Sequence, residues 1–288
     1  MQCPGYGNMA FGELRESIRV LGQTPELWIS GAVAGALGAI LWILFNLSGV
    51  FFTSRLVILA GLTMVLFVAG SFGRIKGPGT GTGAMLRYGV QYYFRVLLPW
   101  LVIMSVLLLV FVTITLVTVL FGENATDYMV TGVLAVLVMV PTLFVTFFCD
   151  TAAVFEDLRI FESLRRSITL TAAHAGEVLG FYVTCCLIAF ADLFVFALVW
   201  EGMLYPELAP LAQDNQTQLA NITPQQVIAL IGPDGIWVTA LTIFLALLFL
   251  VPVLLTYKAC FFRALAGTPA PVQQMTGEFD SKGRWYKY

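Results

Sequence analysis

Charge is scarce in this chain: 11% of its 288 residues are Asp, Glu, Lys or Arg, against 59% that are hydrophobic. That deficit excludes a soluble globular domain, whose composition carries about 25% charged residues. Histidine is scarcer still. With His174 as the only one, a histidine-rich metal site is out of reach, and a catalytic or zinc role for His174 itself would need partners that its neighbourhood does not provide; it is read as marking the turn into the fifth apolar run. The five cysteines are Cys3, Cys149, Cys185, Cys186 and Cys260, and none falls where an external disulfide would need it. Cys3 has neither a second cysteine nearby for zinc nor an apolar lipobox ahead of it. The loop Gly77-Pro78-Gly79-Thr80-Gly81-Thr82-Gly83 lacks the Gly-Lys-Ser/Thr ending of a phosphate-binding loop and follows no strand, so it reads as a flexible connector. No catalytic residue, metal, cofactor or nucleic-acid partner is expected.

Long apolar runs dominate instead, and mean hydropathy is +0.88. A bilayer core about 30 Å thick takes about 20 apolar residues in a helix, because the backbone must satisfy its own hydrogen bonds there. Six segments qualify, at 27–45, 56–72, 96–121, 129–148, 178–200 and 236–257, and the fold class is an all-α integral membrane protein. Pro99, Pro141 and Pro252 mark places where the third, fourth and sixth runs can bend. The first dozen residues are not the basic stub and apolar core of a cleavable signal, so the first run is expected to direct insertion.

All of the fifteen Lys and Arg residues except Arg55 lie before the first run, between the second and third, between the fourth and fifth, or after the sixth. By the positive-inside rule those segments face the cytoplasm, which puts both termini inside a multi-pass cell-membrane protein. Sequons at Asn46, Asn124, Asn215 and Asn221 all fall on the opposite side, with Asn124, Asn215 and Asn221 the candidates for glycosylation. The largest outer segment, 201–235, carries Glu201, Glu207, Asp214 and Asp234 but no Lys or Arg. Within it, Thr223-Pro224-Gln225-Gln226 starts a helix that Gly232 stops. At 264–288 the chain ends in a cytoplasmic tail that is basic and aromatic, able to meet lipid headgroups or a protein, or simply to be solvated.

A recurring phrase precedes three of the outward runs: Leu14-Arg15-Glu16-Ser17-Ile18, Leu86-Arg87-Tyr88-Gly89-Val90 and Leu164-Arg165-Arg166-Ser167-Ile168. Phe11, Leu14, Ile18 and Leu21 form a helical stripe around the first copy. Leu86, Val90, Tyr93, Phe94 and Leu97 do so around the second, and Phe161, Leu164, Ile168 and Ala172 around the third. The phrase is either one building block used three times, at 11–72, 84–148 and 158–257, or simply what short amphipathic helices look like. The first reading makes three hairpins, each introduced by a cytoplasmic interfacial helix. In both, Arg15, Arg19, Arg74, Lys76, Arg87, Arg95, Arg165 and Arg166 are candidate contacts to lipid headgroups.

The stretch Asp150-Thr-Ala-Ala-Val-Phe-Glu156-Asp157, continuing through Glu162-Ser-Leu-Arg-Arg-Ser167 to His174, resembles a motif of an uncharacterised, largely archaeal polytopic membrane-domain family. That family is similar to the membrane domain fused to some glycerophosphoryl diester phosphodiesterases. The resemblance implies a six-span layout and brings no established activity from the family, and no soluble region here is long enough to hold the phosphodiesterase barrel of the fusions.

Asp192 is the sharpest chemical candidate. It interrupts the fifth run eight residues before its outer end, roughly 12 Å in, and an ionisable group at that depth faces protein or water and marks a functional site by default. Thr113, Thr115, Thr239 and Thr242 lie at similar depth. Either Asp192 is an ion or proton site, or it fixes helix packing in a neutral or hydrogen-bonded form. The expected function is accordingly non-catalytic: an accessory or scaffold subunit that organises lipid or anchors a larger assembly, with membrane lipids and a protein partner or second copy as partners. The alternative is a small transporter or channel with Asp192 at its midpoint, against which stands the parallel threefold pattern, unlike the inverted halves of many transporters.

Overall fold

The computed structural model describes residues 9–77, 81–121, 125–206, 224–267, 277–279 and 285–287. Nine α-helices are described: α1 (Met9–Gln23), α2 (Trp28–Ser48), α3 (Val50–Lys76), α4 (Thr82–Phe121), α5 (Ala125–Thr146), α6 (Cys149–Phe155), α7 (Ile160–Ala173), α8 (Ala175–Met203) and α9 (Pro224–Gly267). Apart from a 3₁₀ turn at Pro25–Leu27, the remaining element is an antiparallel pairing of Gly277–Phe279 with Trp285–Lys287. Six helical segments are long and apolar enough to cross a membrane: Pro25–Ser48, Val50–Lys76, Thr82–Val119, Thr131–Phe155, Ala175–Met203 and Gly232–Gly267.

Two boundaries differ from the sequence reading and a third agrees with it. The gap expected between the first two runs is a single residue, Gly49, whose φ of 76° ends α2 in the left-handed region where glycine carries no Cβ penalty. Asn46 therefore lies inside α2, its Nδ2 donating to Trp42 O at 2.8 Å. The second Leu-Arg phrase is not a separate helix, since α4 runs unbroken for 40 residues from the phrase through Pro99 to the end of the third run. The first and third phrases do sit on helices of their own, α1 and α7. At Gly232 the backbone leaves helical geometry (φ 63°), so α9 breaks where the sequence places a stop.

The helices close on one another most extensively where α9 meets α2 and where α3 meets α4. Both seams depend on missing side chains. A Cβ at Gly35 would lie 2.5 Å from Phe244 O, and one at Gly89 would lie 2.6 Å from Leu66 O, so only glycine lets these backbones approach. Between α5 and α8 that extended approach is lacking. There, aromatic side chains bridge one end: Tyr182 Oη donates to Phe144 O at 3.2 Å and the two rings stack at 4.9 Å. The rest of α5 carries exposed Val133, Leu134, Val136, Leu137 and Val140. An apolar cavity of about 290 Å³ opens between α4 and α5, lined by residues such as Met104, Leu108, Phe111 and Met139.

The best-buried core lies at the end of the bundle where α1, α6 and α7 gather, called here the charged end. Phe148, Phe181, Tyr257, Phe261 and Phe262 are each at most 1% exposed and form one aromatic cluster with Leu170 and Val178.

Candidate functional site

The chain breaks its helix after Thr146 and restarts it at Cys149. Such a break frees backbone groups that must find partners. Ser167 on α7 supplies them: its hydroxyl donates to Val145 O at 2.8 Å and accepts from Phe148 N at 3.1 Å. One serine thus closes both sides of the break. The restarted helix, α6, is seven residues long and is fully buried from Cys149 to Val154.

Each acid on and just after α6 fastens it to a different helix. Asp150 sits in its first turn, where a carboxylate suits the helix dipole. Its Oδ1 accepts from Thr151 N at 2.7 Å, and its Oδ2 accepts from Lys258 Nζ of α9 at 2.7 Å. Both side chains are nearly sealed, at 5% and 7% exposure. Around the ammonium lie the faces of Phe147, 3.9 Å from its centroid, and Phe72, at 5.9 Å. These rings offer cation–π stabilisation where water is excluded.

Two further fastenings follow. Arg166 of α7 donates from Nε to both oxygens of Glu156 at 3.0 Å, and its Nη2 lies 3.0 Å from Oε1. That fork geometry is one a lysine could not supply. Asp157 is joined to Lys76 of α3 and, at 2.9 Å, to Arg95 Nη1 of α4. Lys76 also caps the other end of α6, donating to Val154 O at 2.7 Å. Asp157 is the one described non-glycine residue with positive φ, 54°, a conformation that Asp tolerates better than most. Partial burial alone would raise its carboxyl, but the hydrogen bond and charge of Lys76, with Arg95 behind, hold it below the usual carboxylate range.

These acids and cations pin α6 to α3, α4, α7 and α9 at once. Magnitudes rank the pins: the members of the pairs at Asp157 and Glu156 are 25–52% exposed, so each pair contributes about 0–1 kcal/mol. The sealed Asp150–Lys258 pair is the one whose disruption is costly.

The candidate residues from the sequence divide accordingly. Lys76, Arg95 and Arg166 are engaged with carboxylates. Arg19 lies 3.9 Å from Glu16, and Arg74 keeps a buried Nε without a hydrogen-bond partner. Arg15, Arg87 and Arg165 are exposed. The intramembrane polar set does not converge. Thr113 and Thr115 spend their hydroxyls on Leu109 O and Phe111 O of their own helix. Thr242 bonds Val238 O, and Thr239 bonds Gly235 O while accepting from Trp200 Nε1 at 2.8 Å. Asp192 stands one turn before Phe196, whose ring stacks on Phe249 of α9. Its Oδ2 is buried without a hydrogen-bond partner. Asp192 is not alone as an ionisable group in the apolar helices, because Asp150 and Lys258 lie within two of the six. His174 is buried between α7 and α8, its backbone N–H donating to Leu170 O at 3.1 Å. Asn124, Asn215 and Asn221 lie outside the described residues.

Lys258 is the functional candidate that sequence reasoning passes over; its signal is a cation closing an apolar run with no neighbouring charge. No family model, curated protein or solved structure matches this chain.

Proposed function

We propose that the chain is a non-catalytic membrane component, an accessory or scaffold subunit that organises lipid or anchors a larger assembly. One observation carries this reading: among the described residues, the acids and cations on and around α6 are turned on each other as pins between helices. A catalytic or transport site needs groups left available to a substrate, and the cavity between α4 and α5 is lined by apolar side chains. In this reading the charged end faces the cytoplasm, with both termini there. The chain is three hairpins, α2–α3, α4–α5 and α8–α9, and α1, α7 and the first turns of α4 lie in the headgroup layer. Exposed Phe11, Ile18, Phe161 and Ile168 support that placement, since apolar groups beside arginines suit the boundary between acyl chains and headgroups. Asn124, Asn215 and Asn221 are then outside and open to glycosylation.

The test is gentle extraction from native membranes, followed by identification of the protein or lipid that remains bound. A defined partner or a stoichiometric lipid is the expected result. A bare monomer with substrate-dependent flux in liposomes overturns it.

The unpartnered Oδ2 of Asp192 favours a second reading, a small transporter or channel. If Asp192→Asn leaves yield and assembly unchanged while abolishing a measured ion flux, that reading replaces the first.

A further inference from the structure

The three Leu-Arg phrases share more than sequence, because corresponding residues occupy the same environment in each. The fourth position is buried in all three: Ser17 at 1%, Ser167 at 0%, and Gly89 against the α3 backbone. The fifth is exposed in all three, at 57% for Ile18, 68% for Val90 and 45% for Ile168. The second position, Arg15, Arg87 or Arg165, is also exposed in every copy. On α1 and α7 the match extends to an exposed phenylalanine one turn earlier, Phe11 and Phe161. Each small residue lies on the buried side of its helix, the side turned to the rest of the bundle. The segment holding Gly89 rests on α3, the helix holding Ser167 rests on α5 and α6, and α1 rests on α9. A residue three places after an arginine projects from the same side of a helix. Rotation about each axis is thereby fixed so that arginine and aliphatic residue face outward together.

Availability separates these arginines from the other cations nearby. Lys76, Arg95 and Arg166 are held by carboxylates, whereas among the described residues Arg15, Arg87 and Arg165 enter no ion pair and no side-chain hydrogen bond. An exposed guanidinium beside an exposed aliphatic side chain matches a phosphate attached to an acyl chain.

We infer that Arg15, Arg87 and Arg165 form three equivalent sites for anionic phospholipid, one per copy of the phrase, each binding the headgroup phosphate through the guanidinium and the adjoining acyl chain through Ile18, Val90 or Ile168. This rests on the reading of the chain as a membrane component with the charged end at the headgroup layer, and it specifies the lipid, the positions and the number.

The experiment uses the full chain reconstituted in nanodiscs of phosphatidylglycerol and phosphatidylcholine, with native mass spectrometry counting the lipids retained on release. Retention of up to three phosphatidylglycerol molecules is expected, with a preference of roughly fivefold per arginine over phosphatidylcholine. Arg15→Gln, Arg87→Gln and Arg165→Gln should each lower the count by one, and the triple variant should abolish the preference without changing the melting temperature. Arg159→Gln is the control, because Arg159 is exposed near the same end but lies outside the phrases. An effect of Arg159→Gln equal to that of Arg15→Gln overturns the inference in favour of diffuse charge. So does loss of all retained lipid from one single variant, or displacement by inorganic phosphate at millimolar concentration, which would mark a free-anion site. Each of these outcomes leaves partner retention in native membranes unaffected, so failure here is distinct from failure of the scaffold reading.

Discussion

Lys258 Nζ and Asp150 Oδ2 lie 2.7 Å apart across 108 positions of sequence, sealed from solvent between the rings of Phe147 and Phe72. Removing one partner leaves the other buried and uncompensated, at about 3–5 kcal/mol, whereas replacing both with apolar residues of similar volume is close to neutral. Asp150→Ala and Lys258→Met should therefore each lower the thermal midpoint in detergent sharply. Asp150→Leu combined with Lys258→Met should restore most of it, and a double variant as unstable as the singles would show that the pair does more than hold the helices.

Asp157 combines a left-handed backbone with two cationic partners, and substitutions separate the two. Asp157→Gly relieves the backbone and loses the pairing; Asp157→Asn keeps backbone tolerance without charge. Both should cost about 1 kcal/mol or less, as expected of half-exposed pairs. Asp157→Val loses the pairing and adds backbone strain of about 1–3 kcal/mol, so it should be clearly the least stable of the three by thermal unfolding.

Acid should act on the same residue. Because its cationic partners hold the Asp157 carboxyl below its ordinary value, the stability it contributes is fully present above about pH 4 and is lost as the pH falls through the depressed folded value. The difference in melting temperature between the parent chain and Asp157→Asn should be constant from about pH 7 to pH 5 and should shrink as the pH falls through the depressed folded value. A difference that grew on acidification would contradict the pairing.

The close approach of α2 and α9 predicts a contrast between two glycines. A Cβ at Gly35 meets Phe244 O at 2.5 Å, whereas one at Gly132 meets nothing within 4 Å. Gly35→Ala should destabilise by about 1–3 kcal/mol through overpacking. Gly132→Ala should leave the midpoint unchanged or slightly raised, given the better helix propensity of alanine.

The six apolar helices are legible in the sequence because the bilayer imposes one requirement, length of apolar run, that composition reports directly. Helix continuity is not written the same way. Nothing in hydropathy separates Gly49, which turns α2 into α3 in one residue, from a glycine within a longer loop, and nothing marks Leu86 to Leu97 as fused to the run that follows. At the candidate site, Asp150, Glu156 and Asp157 stand in a recognisable stretch. Their partners do not, since Lys76, Arg95 and Lys258 come from three other helices and an ion pair leaves no local pattern at either member. The close packing of α2 is different: Gly31 and Gly35, one turn apart on one face, state it in a spacing that can be read before any partner is known.

Both closures that complete the bundle draw on α9. It covers the glycine face of α2, the first of the six apolar helices in chain order, and it brings Lys258 to Asp150. The glycine face of α2 therefore lacks its cover until the last of the six has been made. A chain stopped before residue 258 leaves Asp150 without the ammonium that faces it in the assembled bundle and α2 without the helix that covers its glycines, so both closures wait on the same last stretch of the six.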